Sequence, residues 1–278
     1  MFTTRLDAAL LAVAYLFIGV ALIGFATFGL HPELLAASPS SAALYGPIYT
    51  RIGQVQVWLL WAVLAAVLIR HTGVRWVPAF AAVYVLSFLS EFFGTGYGIP
   101  FGGYAYTALL GGKWFGQVPY VIPLSWFAMA IPSFALARAF GVAGTPVRRL
   151  LVASAILVAW DLALDPAMSH LTPYWVWSDS GPYYGMPWLN LLGWYVTGLV
   201  LMGALTLLRA DRWIDRLDLR WLGAYYGVNI LMPVGMMAAA GMWLGVLVTL
   251  TVYVLLAAVA LVPPSRTHAL TTATNLMT

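Results

Sequence analysis

Residues 159–166 read AWDLALDP and place two carboxyls, Asp161 and Asp165, four positions apart in an apolar run. A third, Glu91, stands alone in the apolar stretch SFLSEFF. Side chains four apart lie together on one helix face, so a helix over this run pairs the two aspartates. Two adjoining carboxyls do not readily both ionise, and such a pair shares a proton. That makes Asp161 and Asp165 candidate proton donors, with Glu91 as a candidate acceptor. The alternative is structural: each acid is hydrogen-bonded to a neighbour and locks helices together.

The elements that carry these acids are membrane helices. The chain has 278 residues, of which 63% are hydrophobic and only 8% charged, with a mean hydropathy of +0.89, far from soluble globular domains. A spanning helix needs about 20 mostly apolar residues, and the sequence predicts eight, near 7–29, 53–69, 76–94, 121–140, 149–167, 188–208, 220–238 and 241–262. Seven is the alternative count, because the turn dividing the last two carries no polar residue. The expected fold is an all-α, polytopic transmembrane bundle forming one integral membrane domain over 1–278. No repeat or linker divides it. The first apolar run is too long for a signal-peptide core and is expected to be retained.

Arginine and lysine collect in the cytoplasmic loops of membrane proteins. With eight spans and both termini cytoplasmic, Arg5, Arg70, Arg75, Arg138, Arg148, Arg149, Arg209, Arg212, Arg216, Arg220 and Arg266 fall inside, against Arg51 and Lys113 outside. This places the protein in the cell membrane, with the lipid bilayer as its first partner. Segment 209–220 alternates Arg with Asp211, Asp215 and Asp218 and reads as a solvated connection rather than a nucleic-acid surface. There is no cysteine, which excludes disulfides and thiolate metal sites. The four histidines are scattered over different loops, a pattern unlike a His-rich iron hydroxylase.

The acids can now be placed in depth. Asp161 lies twelve positions after Arg149, about 18 Å along a helix whose hydrocarbon surroundings are about 30 Å thick. Asp161 is therefore inside the membrane, and Asp165 lies one turn nearer the outer boundary, with Pro166 and Pro173 marking the helix exit. Glu91 is near the outer end of the third span. Three carboxyls thus share one layer in the outer half. An acid at mid-depth costs about 2.5–3.5 kcal/mol on insertion scales and usually faces the bundle interior at a functional site.

The two long outer segments, 94–126 and 174–195, are crowded with aromatic rings, among them Tyr104, Tyr106, Trp126, Trp175, Trp177 and Trp194. Some such rings are expected at a membrane interface, but ring faces around buried acids also suit a carbocation through cation–π attraction. Tyr104, Trp126, Trp160 and Trp194 are the candidates for lining a substrate site. Asn190, on the same side, reads either as a helix-packing hydrogen bonder or as a group that positions water. Glycines 94, 96, 98, 102 and 103 with Pro100 make the segment after Glu91 a turning loop. It is no phosphate loop, lacking the Gly-Lys-Ser/Thr signature.

The stretches SEFFGTGYGIPFGGYAY, WDLALDPAM and WVWSDSGPYYGMPWLNLLGW resemble the membrane-integral carotenoid 1,2-hydratases of the CruF type, a family that includes archaeal bisanhydrobacterioruberin hydratases. The resemblance runs in order over about residues 85–195 and loosely through the carboxyl-terminal half. It implies water addition across the terminal 1,2 double bond of an acyclic ψ end group, as in γ-carotene or lycopene, to give a tertiary 1-hydroxyl without a cofactor. The implied partners are the carotenoid, water and neighbouring carotenoid-pathway enzymes. In the expected mechanism a carboxyl of the Asp161/Asp165 pair protonates C2, a tertiary cation forms at C1, and Glu91 orients water and takes its proton. Two rivals stand beside it. Asp-x-x-x-Asp is also a Mg²⁺-binding spacing of intramembrane prenyltransferases, although a second Asp-rich motif and a basic diphosphate site are missing. A proton-coupled transporter would also bury acids, but would step them through the full membrane depth.

Overall fold

The computed structural model describes residues 4–37, 39–140 and 145–260; Arg266 and the end of the predicted eighth span lie outside them. Among the described residues eight helices are long and apolar enough to cross a membrane, three of them counted with the turns that continue them, as Arg5–Gly29, Ile122–Ala139 and Pro146–Leu171. These are α1 (Arg5–Gly24), α4 (Ile52–Thr72), α5 (Val77–Tyr97), α6 (Ile122–Leu136), α7 (Pro146–Asp165), α8 (Trp188–Leu207), α10 (Leu219–Ala239) and α11 (Trp243–Ala260). Three short helices lie between them: α2 (Glu33–Ala36), α3 (Pro39–Tyr49) and α9 (Asp211–Ile214). The fold is the all-α polytopic bundle that the sequence predicts.

Helix ends follow local chemistry. Thr4 caps α1 in a reciprocal capping box with Asp7. Asp7 also accepts from Arg70 at 3.2 Å and lies 2.9 Å from His71, tying α1 to the end of α4. Thr145 caps α7 and Asp218 caps α10. Arginines gather at this end of the bundle, the basic end. There the connection 209–220 is not simply solvated, as its charge alternation suggests. Asp211 pairs with Arg149 at 2.6 Å and Asp215 with Arg138, while Ala210, Trp213 and Ile214 are buried. The alternating charges dock this segment back onto α6 and α7.

α6 is the central helix: from Ile122 to Ala135 nearly every residue is buried, and it packs on α4, α5, α7, α8 and α10. α1 and α11 are peripheral and turn side chains such as Leu16 and Val254 outward. α7 and α8 meet closely where Gly198 faces Ser154; a Cβ on Gly198 would lie 3.2 Å from the serine.

One predicted exit shifts and the other is extended. α5 runs through Gly94 and Gly96 to Tyr97, and the turn starts at Gly98, which adopts φ 73°. Gly94 serves close packing rather than turning: a Cβ there would sit 2.8 Å from the Phe101 ring and 2.9 Å from the Tyr104 hydroxyl. Pro166 ends the α-helix, whose last residue is Asp165, but the chain stays helical for a further turn. Having no N–H, Pro166 leaves the Leu162 carbonyl free, and Tyr183 donates its hydroxyl to that carbonyl at 2.9 Å. The helix then widens into a π-helical segment over Pro166–Leu171, and the chain leaves it before Pro173.

The end opposite the basic one carries the only sheets among the described residues. β1 (Tyr104–Tyr106) pairs antiparallel with β4 (Trp175–Trp177), and β2 (Lys113–Trp114) pairs with β3 (Val118–Pro119).

Candidate active site

Neighbouring residues of a strand point to opposite faces. In the Tyr-Ala-Tyr of β1 and the Trp-Val-Trp of β4, every second residue is aromatic with a polar tip. The register sets Tyr104 opposite Trp177 and Tyr106 opposite Trp175. All four tips therefore fall on one face, while Val176 is exposed on the other. Cross-strand ring contacts of 5.2 Å and 6.0 Å fix the four as a lid. Lys113 donates to the Tyr106 carbonyl and holds the lid from the side.

Beneath this lid lie the carboxyls. Glu91 Oε2 accepts from the hydroxyls of Tyr104 and, at 2.8 Å, Tyr106, and its Oε1 accepts from Trp126 Nε1 at 2.7 Å. Asp165 Oδ1 accepts from Trp175 Nε1 at 3.0 Å and Trp177 Nε1 at 3.2 Å. Asn190 Nδ2 reaches Asp161 Oδ2 at 2.8 Å and Asp165 Oδ2 at 2.5 Å. The single amide bridges the two aspartates, which therefore share a helix face as their spacing requires. The second oxygen of Asp161 is buried and without a partner. All three carboxyls are at most 4% exposed, and among the described residues no Lys, Arg or His pairs with any of them. Every donor to the three is neutral.

Indole N–H groups only donate, so the oxygens that face Trp126, Trp175 and Trp177 must accept. Burial, then the neighbouring Glu91 carboxylate, push the Tyr104 and Tyr106 phenols well above their ordinary value of 10.0. Both remain protonated donors. Glu91 is thus held as an acceptor on both oxygens, an arrangement suited to a carboxylate. The unpartnered oxygen of Asp161 is where the aspartate pair has a place for a proton.

Between lid and acids is a space of about 40 Å³, lined by Glu91, Asp165, Tyr104, Tyr106, Phe101 and Trp194 among others. That is room for a water molecule or two. Trp126 and Trp194 stack at 4.0 Å in its wall. The structure thus brings Glu91, Asp165, Tyr104, Trp126, Asn190 and Trp194 together, with Asp161 directly behind Asp165. Trp160 lines an adjoining space, donates to the Asn229 carbonyl and sets its ring edge-on against Trp194 at 5.7 Å. Tyr106, Trp175 and Trp177 were absent from the candidates, although their Y-x-Y and W-x-W alternation is a strand signal. Among the described residues no group of three His, Cys, Asp or Glu is set to hold a metal ion, and the oxygens of the aspartate pair are largely engaged by N–H donors.

A family model described as "Carotenoid biosynthesis protein" matches residues 52–256. The chain belongs to this family. The bisanhydrobacterioruberin hydratase of Haloarcula japonica is 28% identical over 213 residues, covering 76% of this chain and 66% of the relative, just under two thirds of its length. No solved structure matches. Every carboxyl and donor of the site falls within the part that matches the carotenoid biosynthesis family, whereas α1 to α3 precede it.

Proposed function

We propose that the protein is a carotenoid 1,2-hydratase that adds water across the terminal 1,2 double bond of an acyclic ψ end group, as in γ-carotene or lycopene. The observation that carries this reading is the set of three buried carboxyls served only by neutral donors around a small, ring-walled space. The name of the Haloarcula relative supports the same reaction class.

The Asp161/Asp165 pair, joined through Asn190, gives a proton to C2, and the π electrons of the double bond form the new C–H bond. This direction leaves a tertiary cation at C1, flanked by the stacked Trp126 and Trp194 rings. Water beside Glu91 attacks C1 through oxygen and gives its second proton to the Glu91 carboxylate. Return of that proton to the aspartate pair closes the cycle, so that one alkene and one water become one tertiary alcohol with no redox change. The arginine distribution supports a site end that faces outward, with both termini cytoplasmic in the cell membrane.

Membranes incubated anaerobically with a ψ-ended carotene in H₂¹⁸O test the reaction. The expected product is an ¹⁸O-labelled tertiary alcohol, and in D₂O deuterium appears at C2. A requirement for O₂, or oxygen drawn from it, overturns the hydratase reading. Loss of activity on chelation with rescue by Mg²⁺ would favour the prenyltransferase chemistry instead.

A further inference from the structure

The space at the carboxyls, about 40 Å³, is far too small for a carotene, which is long, rigid and apolar. The space shares Ile122, Ser125, Leu164 and Trp175 with a second one of about 70 Å³ that reaches Trp160 and Asn229. This middle space meets a third through Tyr174. The third is a groove of about 290 Å³ between α1, α3 and α10, walled by Phe17, Phe25, Phe28, Met232 and Met236. At its rim Val20, Leu44 and Ile48 are 62%, 66% and 46% exposed, so the groove opens on the apolar surface.

We propose that these three spaces are one tunnel for a linear isoprenoid, with its reacting end at the carboxyls and its remaining length in the groove. The inference rests on the hydratase reading and adds the route of the chain. Continuity is its main support: the acid space and the middle space have four wall residues in common, and the middle space and the groove have Tyr174 in common. The walls agree in chemistry, since rings and thioethers adapt to an extended apolar chain. A narrow point is also built in. Tyr174 lies across Gly53, where a Cβ would come within 2.7 Å of its ring, so the glycine is what lets the ring sit between middle space and groove. One consequence concerns selectivity. The far end of the substrate stays at the groove mouth or in lipid, so its end group, cyclic or acyclic, does not reach the acids. Each binding event hydrates one end.

Retention of pigment by purified protein tests the tunnel, with the inactive Glu91→Gln chain as background so that binding is read without turnover. A Cβ at Gly24, in the groove wall, meets no atom within 4 Å, so Gly24→Phe is the substitution chosen to narrow the groove. Added to Glu91→Gln, it should lower retained carotene about tenfold. Val254→Trp, on the outward face of α11, should leave retention unchanged. Ala21→Phe, at another position of the groove wall, provides a second obstruction if the Gly24→Phe chain does not accumulate. Equal retention with and without the groove substitutions, or no retention in either, overturns the tunnel. The chemistry is read separately from labelled alcohol made by the wild type; its absence with pigment still retained removes the hydratase and leaves the tunnel standing.

Discussion

Glu91→Gln keeps the size of the side chain and removes its charge, and the hydrogen-bond geometry gives the consequence. One oxygen of Glu91 faces the Trp126 N–H at 2.7 Å, and the other faces two phenols. A glutamine amide group must turn its NH₂ toward one side or the other. Toward Trp126 it sets donor against donor, and an unpaired buried donor costs about 1–3 kcal/mol. Toward the phenols it forces them to rotate and accept. In both cases the base is gone, and general-base contributions are about 10²–10⁴-fold. The expected loss of alcohol formation is therefore at least about a hundredfold. Tyr106→Phe removes one donor from the same carboxylate, about 1.5–3 kcal/mol for a bond to a charged group, or about ten- to a hundredfold in rate. In the double variant the missing donor has no carboxylate to serve, so the two losses do not add. Initial rates of ¹⁸O-labelled alcohol formation in membranes, normalised to the amount of protein, give all three values. Losses that multiply, or Glu91→Gln turning over like wild type, would refute the role assigned to Glu91.

Asp161→Asn and Asp165→Asn should each lower the rate at least about a hundredfold while protein still accumulates; wild-type rates in both would leave the pair a purely structural contact. Trp177→Phe removes one of the three N–H donors to Asp165 and should slow turnover about tenfold, measured in the same assay. The phenols of Tyr104 and Tyr106 sit above 10.0 because of burial and Glu91. They stay protonated as pH rises to that value, so the pH–rate profile should show no alkaline fall from tyrosine ionisation below pH 10; a fall near pH 9 that Tyr104→Phe abolishes would contradict this. Since the chain has no cysteine, Ser180→Cys and Arg212→Cys, both exposed, report topology: an impermeant thiol reagent on intact cells should label the first and spare the second.

The bundle was legible because its signals are long. Charge-free runs and arginine clusters determine spans without tertiary knowledge, and a spacing of four puts Asp161 and Asp165 on one face. What escaped was short or depended on partners. The lid strands have three residues each, and they come together from positions 104–106 and 175–177. Their alternation was present, but pairing at that separation is not a local property. Pro166 marks the end of the α-helix in sequence, but the partner of the carbonyl it frees does not show there: it is Tyr183, seventeen positions later. Gly94 looked like a turn because the two rings that cross it come from the following loop. Trp160 stands next to Asp161 in sequence, and one helical step turns it toward the middle space with its ring edge against Trp194.

The lack of a cationic partner gives the site its logic in the proposed mechanism. Buried acids are usually neutralised by Arg or Lys, but a fixed positive charge would oppose a cation forming a few ångströms away. Indole, phenol and amide donors hold a carboxylate in a dry site and carry no net charge. The negative charge of Glu91 therefore remains uncompensated until C1 becomes positive. At about 4 Å and an effective dielectric near 20, that attraction is worth about 4 kcal/mol, or about a thousandfold in rate. It acts on the transition state and hardly on the neutral alkene, which is the condition for faster chemistry rather than tighter binding. Introducing a cation is then the sharp perturbation. Trp126→Arg would give Glu91 a permanent counter-ion, and even in a chain that folds and retains carotene it should turn over more slowly than Trp126→Phe, which removes the donor alone.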